Sequence, residues 1–254
     1  MNIMQISKNI PVHMTWVYEQ EDKKQVKACT YEIEYSLRTE VEPGQTQKQA
    51  FLQQNISFSV INSFLYDQLH QSLIYDMDSK ATVERAFASH DNNFLILPDM
   101  SDACLAMTLH CKLNAICHEN SFVESISIKD KIDNIAYSMF ADDNEYDQLP
   151  MMSEWLGDLS FWESPWWRRK DFSTFDNFAE SKEEHTAFFD KEENKDILER
   201  MESPIAQIEA QVIADIYGNE IKEVLKEEPK ESGQLMEVDF KNKTFKPKLV
   251  PKDK

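Results

Sequence analysis

Residues 31–38 read Tyr-Glu-Ile-Glu-Tyr-Ser-Leu-Arg, with an apolar or aromatic side chain at every odd position and a polar one at every even position. On a helix these side chains would be scattered around the axis, whereas a pleated strand puts all four apolar groups on one face. The fold must therefore contain a sheet with one covered and one wet face. The preceding segment 11–18, rich in β-branched and aromatic residues, predicts a second strand. Glu19 to Gln25 is the polar spacer of a hairpin, and Glu42-Pro43-Gly44 stops the strand over 26–41.

Beyond that stop the period changes. Phe51, Ile56, Val60, Ile61, Phe64, Leu65, Leu69 and Leu73 recur every three to five residues and predict a helix over 47–74 that covers the sheet. Asn93 to Leu97, closed by Pro98, predicts a short buried strand. Asp99 is placed to cap a helix over 100–118, whose Met100, Cys104, Met107, Cys111 and Ala115 stripe is widened by leucines until little polar surface is left. Residues 122–129 alternate imperfectly, and 131–140 is their antiparallel partner.

This order predicts an α+β fold, a two-layer sandwich of a mainly antiparallel sheet with two helices on one face. An aromatic-rich and helical C-terminal extension follows. Three parts are expected: a sandwich domain at 1–140, an acidic extension at 141–228 and a flexible tail at 229–254. Ser203-Pro204 opens a helix whose stripe is Ile205, Ile208, Val212 and Ile216, then Ile221, Val224 and Leu225, with Gly218-Asn219 as a break or cap and Glu227-Glu228-Pro229 as its end. The tail offers Val238 to Phe240 and Phe245 as docking peptides. With only four glycines no phosphate-binding loop can be built, which argues against a doubly wound nucleotide fold.

At 254 residues and 41% apolar content the chain can bury a core. No stretch is apolar enough for a membrane span or a secretory signal, so a soluble cytoplasmic protein is expected. Cys29, Cys104, Cys111 and Cys117 lack paired spacing and read as buried thiols. The net charge is −19, and residues 141–200 alone carry 17 acidic against 7 basic side chains. Such a surface repels phosphate, which disfavours direct nucleic-acid binding.

That acidic segment also holds Ser164-Pro165-Trp166-Trp167-Arg168-Arg169-Lys170. Trp and Arg are enriched among binding hot spots, so Trp162, Trp166, Trp167, Arg168, Arg169 and Lys170 are the candidate partner-binding residues. The competing reading is an aromatic lid over the open face of the sandwich, with the arginines stacked on rings or paired with Glu163 and Asp171. No catalytic residues, cofactor or metal are assigned. His110, Asn114, Cys117 and His118 share a helix face, but residues seven apart lie about 10 Å apart along the axis and cannot close on one ion.

The stretches "NISFSVINSFLYDQL" at 55–69, "LHCKLNAI" at 109–116 and "VESISIKD" at 123–130 resemble uncharacterised proteins of large contractile-tailed bacteriophages, over about residues 28–140. The likeness lies in helix faces and a strand, and it carries no active-site residues. It implies a phage-encoded accessory protein in the host bacterial cytoplasm or the virion. The expected function is a non-catalytic protein-binding accessory role, contacting a host or phage protein such as one with a basic nucleic-acid-binding surface. A virion structural or assembly protein is the alternative, and an enzyme of unfamiliar type with a site near the 110–118 helix is the third. Self-association into a homo-oligomer stays open.

Overall fold

In a computed structural model the described residues are 3–20, 23–79, 93–141, 149–150, 154–157, 160–176, 182–195 and 204–224. Two 18-residue strands, β1 (Ile3–Gln20) and β2 (Lys23–Glu40), form an antiparallel hairpin in continuous register from Ile3↔Glu40 to Gln20↔Lys23. The alternation of residues 31–38 works as predicted. Tyr31, Ile33, Tyr35 and Leu37 are buried on one face beside Ile10, Val12 and Met14 of β1. The opposite face of the hairpin is polar, with Gln5 donating to Ser36 and to Glu124 at 2.7 and 2.9 Å.

Helix α1 (Gln47–Ser63) starts on a capping box. The Gln49 backbone N–H donates to Thr46 Oγ1 at 3.3 Å, and the Gln49 side chain accepts from the Thr46 N–H at 2.9 Å. The helical period predicted to run to residue 74 ends earlier. A π-helical turn (Phe64–Leu69) buries Phe64, Leu65 and Leu69, then Gln71 reverses the chain with φ 65°. Leu73 belongs instead to strand β3 (Ser72–Asp76), because the Gln71 N–H is drawn to the His13 carbonyl at 2.7 Å and lays the chain along β1.

Strand β4 (Phe94–Leu97) has all four residues buried. Helix α2 (Asp102–Ile116) is capped by Ser101, whose Oγ accepts from Cys104 N at 3.2 Å, and not by Asp99. Strand β5 (Ser121–Asp130) pairs with β2, and β6 (Ala136–Phe140) pairs with β5. The imperfect alternation of β5 has a physical cause. A bulge accommodates Glu124, so that Val123 and Ile126, three apart, both face the core.

The sheet order is β4-β3-β1-β2-β5-β6, an α+β arrangement. It is more mixed than expected, since β3 runs parallel to β1 and β4 parallel to β3, while the other pairs are antiparallel.

The chain divides into two compact units, Met1–Ile213 and Ala214–Lys254. Leu149, Trp155, Leu156, Trp166, Trp167 and Phe172 belong to the same buried cluster as the strands and helices. Their large apolar areas complete the sandwich core rather than build a second one. The short helix α3 (Lys182–Phe189) follows, then α4 (Pro204–Val224). Helix α4 begins at Pro204 as expected and runs on through Gly218 and Asn219, which neither break nor cap it. The tail with its docking peptides lies outside the described residues.

Candidate functional site

The tryptophan-rich segment packs into the core as the lid reading expected, but along the β4 edge rather than over the open face of the sandwich. Trp166 and Trp167 are wholly buried, Phe172 is buried, and Arg169 is 7% exposed. Trp162 is half-buried under the Arg169 guanidinium at 4.7 Å, leaving Arg168 and Lys170 as the exposed members. The segment acts as a strap across β4. Its Trp166 Nε1 donates to the Ile96 carbonyl at 2.9 Å, and Thr174 Oγ1 donates to the Phe94 carbonyl. Those two carbonyls face away from β3, whose Leu73 and Met77 N–H groups bond to Asn93 and Leu97. The strap thereby closes a sheet edge that would otherwise present bare acceptors.

Two charged groups knot the strap. The Lys112 ammonium, on α2, donates to the carbonyls of Trp166 (3.0 Å), Arg169 (3.1 Å), Asp171 (2.6 Å) and Ser173 (3.1 Å). Arg169 pairs with the buried Asp176 and donates to Phe175 O at 2.6 Å, to Ser164 O at 3.2 Å and to Ser173 Oγ at 3.3 Å. Asp176 also accepts from Trp155 Nε1 at 2.8 Å. A charge cluster with this many partners ties the strap down, although Arg169 Nε itself, 3.5 Å from Asp171 Oδ2, makes no hydrogen bond.

The 110–118 face does not assemble. Buried His110 donates from Nε2 to the Val123 carbonyl at 2.8 Å, and the Asn114 side chain pairs with the Val123 N–H and C=O. His118 turns its Nδ1 to the Glu119 carbonyl. Burial pushes the Cys117 and Cys104 thiols up to about 12 and Cys111 up to about 11, so none of them supplies a thiolate near neutral pH. No group of three or more His, Cys, Asp or Glu side chains fit to hold a metal occurs among the described residues.

A different set of groups meets at the rim of the core. Along β2 the inward-facing series runs buried through Tyr31 and Cys29 and ends at Lys27, whose side chain is 45% exposed. The helix layer stops there, and polar side chains gather. Asp102, in the first turn of α2, accepts from Tyr31 Oη at 2.5 Å, where the helix N-terminus favours a carboxylate. Tyr31 Oη in turn accepts from Trp16 Nε1 at 2.9 Å. Burial first, and Asp102 second, drive the Tyr31 phenol far above its usual range, so it is a fixed donor and not a base. Burial likewise raises Cys29, while Tyr31 and Lys27 oppose the shift; Asp130 and Asp102 both act on the same thiol.

Asp130 ends β5 directly opposite Tyr31. Its side chain is wholly buried, and its Oδ1 accepts from the Ile132 N–H at 2.8 Å. Its Oδ2 receives no hydrogen bond; the nearest cation is Lys27 Nζ at 3.6 Å, itself held by Asp133 at 3.2 Å. A buried carboxylate oxygen without a donor costs on the order of 1–3 kcal/mol. Such a group calls for an explanation, of which a bound ligand is one.

None of these rim residues was singled out as a site from the sequence. Cys29 was read as one of four buried thiols, and Tyr31 as a core position. Asp102 and Asp130 had no distinguishing pattern, since Tyr31 and Asp102 are 71 residues apart in the chain.

No protein family and no curated protein matches the sequence. Solved structures do, at low similarity. An uncharacterized protein from Wolinella succinogenes is 13% identical with a TM-score of 0.38, covering 56% of this chain and 100% of its own. The 6-pyruvoyl tetrahydropterin synthases from Plasmodium vivax (11% identity, TM-score 0.35) and Caenorhabditis elegans (13%, 0.33) cover 55% and 56% of this chain and 98% of their own. The expected non-catalytic accessory role is corrected on the chain's own geometry. The burial of Trp166, Trp167 and Arg169 removes the anchors on which that role stood.

Proposed function

We propose that this chain is a small-molecule-handling protein of enzyme type, with its site at the rim formed by Lys27, Cys29, Tyr31, Asp102 and Asp130. The observation that carries this reading is the Asp130 carboxylate, buried with one oxygen that accepts no hydrogen bond. Its cover is the long, half-exposed Lys27 side chain, which sits at 3.6 Å and is displaceable at little cost. Two carboxylates at the rim, Asp102 and Asp130, select a compact cation or an N–H-rich heterocycle, whose edge charge-assisted hydrogen bonds hold.

The chemistry this arrangement supports is proton transfer, not thiolate attack. Cys29 is held as the thiol by burial. Tyr31 is a positioning residue that orients Asp102, and Asp102 is the group able to take a proton from a bound molecule.

Titration with p-aminobenzamidine, a fluorescent planar cation, tests the reading, with benzoate as the anionic counterpart. Saturable binding of the cation, no binding of benzoate, and a loss of about tenfold or more in affinity in Asp130→Asn are expected. Equal affinity in the wild-type and Asp130→Asn chains would refute it.

A further inference from the structure

Lys112 presents an arrangement that the rim does not use. It sits in the middle of α2, wholly buried, and its ammonium faces four backbone carbonyls drawn from one short stretch of chain, 166–173. An ammonium has three protons and a tetrahedral spread, and carbonyl oxygens at 2.6–3.1 Å surround it as they would a bound monovalent cation. The carbonyls come from an irregular segment with one turn of 3-10 helix, Trp166–Arg168, in which the Trp166 carbonyl also accepts from the Arg169 N–H at 3.3 Å; the Arg169, Asp171 and Ser173 carbonyls lie outside that turn's bonding and converge on the cation. The same strap supplies Trp166 and Thr174 to the outward carbonyls of β4.

We propose that the carbonyl cage of residues 166–173 is a monovalent-cation site that the protein fills with its own Lys112, and that this occupant is the latch holding the strap closed over the β4 edge. The inference is independent of the rim and of any ligand there. The charged groups facing the cage are Asp171, Arg169 and Asp176. Burial pulls Lys112 down to about 7, with Asp171 acting against it, so the latch is best examined at pH 6, where the ammonium form is retained.

The latch predicts an opening step that precedes unfolding. In the wild-type chain at pH 6, rising urea should make Lys112 reactive to an amine-labelling reagent and make the Arg168 to Lys170 bonds cleavable by trypsin in one shared step. That step should come before far-UV circular dichroism is lost. Lys112 reacting only together with global unfolding would overturn the proposal. A second arm uses Lys112→Ala, which leaves the cage without its cation. Tryptic cleavage at 168–170 should accelerate by about tenfold or more, and ammonium or methylammonium chloride at roughly 0.1 M should slow it again, whereas choline chloride, too large for the cage, should not. Cleavage no faster than wild type, or equal protection by all three salts, would likewise overturn it. Should the variant not fold, the wild-type labelling arm decides.

Discussion

The strap and the rim bury charge in opposite ways. In the strap, Lys112 meets four carbonyls, and Arg169 meets Asp176, Phe175 O, Ser164 O and Ser173 Oγ, with Asp171 Oδ2 3.5 Å from its Nε. At the rim, Asp130 is as deeply buried as Asp176, yet one of its oxygens lacks a donor and its cation is a surface lysine at 3.6 Å. Arg169 Nε, like Asp130 Oδ2, is buried without a hydrogen bond, so the difference lies in the number of partners each charge has: several around Lys112 and Arg169, one N–H for Asp130. Charges held by several partners tie a structure together, and breaking them is costly. The segment most conspicuous in the sequence, Trp166 to Lys170, thus serves the fold, while the site candidates are ordinary-looking acids.

That contrast can be broken by mutation, beginning with its largest consequence. Asp176→Ala leaves the buried Arg169 guanidinium without its carboxylate and should cost about 3–5 kcal/mol in urea unfolding. Asp130→Asn keeps an acceptor for the Ile132 N–H and should move stability by no more than about 1 kcal/mol. Equal costs for the two would erase the distinction between strap and rim.

A smaller effect comes from Trp166→Phe, which keeps most of the ring volume but leaves the Ile96 carbonyl without its donor. A loss of about 1–3 kcal/mol is expected, read as a lower urea midpoint at unchanged slope.

Alkaline pH should act on the core thiols and phenols. Cys104 and Cys117 are pushed up to about 12 from an unfolded value of 9.0, and Tyr31 and Tyr35 are raised from 10.0, all by burial first. The native chain therefore keeps protons that the unfolded chain sheds, and stability from these groups, complete below pH 9, falls as pH climbs from 9 toward 12. Lys112 acts with the opposite sign between about 7 and 10.5, because its folded value is lowered. The net decline should steepen above pH 10.5, and Cys117→Ala should make it shallower, as followed by urea midpoints across the range.

The smallest effect belongs to the exposed pair. Arg168→Ala with Lys170→Ala should change stability by less than about 0.5 kcal/mol and leave p-aminobenzamidine binding untouched.

Much of the fold was legible locally. The alternation over 31–38 predicted the inner face of β2, and the helical period over 47–74 predicted the helix that covers it, though it ran past the helix's true end. What escaped was set by tertiary contacts. Leu73 continued a helical spacing, but Gln71 turns the chain into β3, a parallel neighbour of β1 that no local pattern announces. The β5 bulge at Glu124 disguised a regular core strand as an irregular one. The rim was illegible because its groups come from β1, β2, the start of α2 and the end of β5, and only the sheet register brings Tyr31 opposite Asp130. The Trp-Arg motif misled for a related reason: a core completed by a distant strap uses the same residue types as a binding surface.

The central claim is that the functional end of this molecule is the rim. Fluorescence titration of p-aminobenzamidine into the wild-type, Asp130→Asn and Arg168→Ala/Lys170→Ala chains tests it most directly. The account predicts binding that weakens by about tenfold or more in Asp130→Asn and is unchanged in the double variant, with all three chains folded. Binding that survives intact in Asp130→Asn, or that disappears with Arg168 and Lys170, would contradict it.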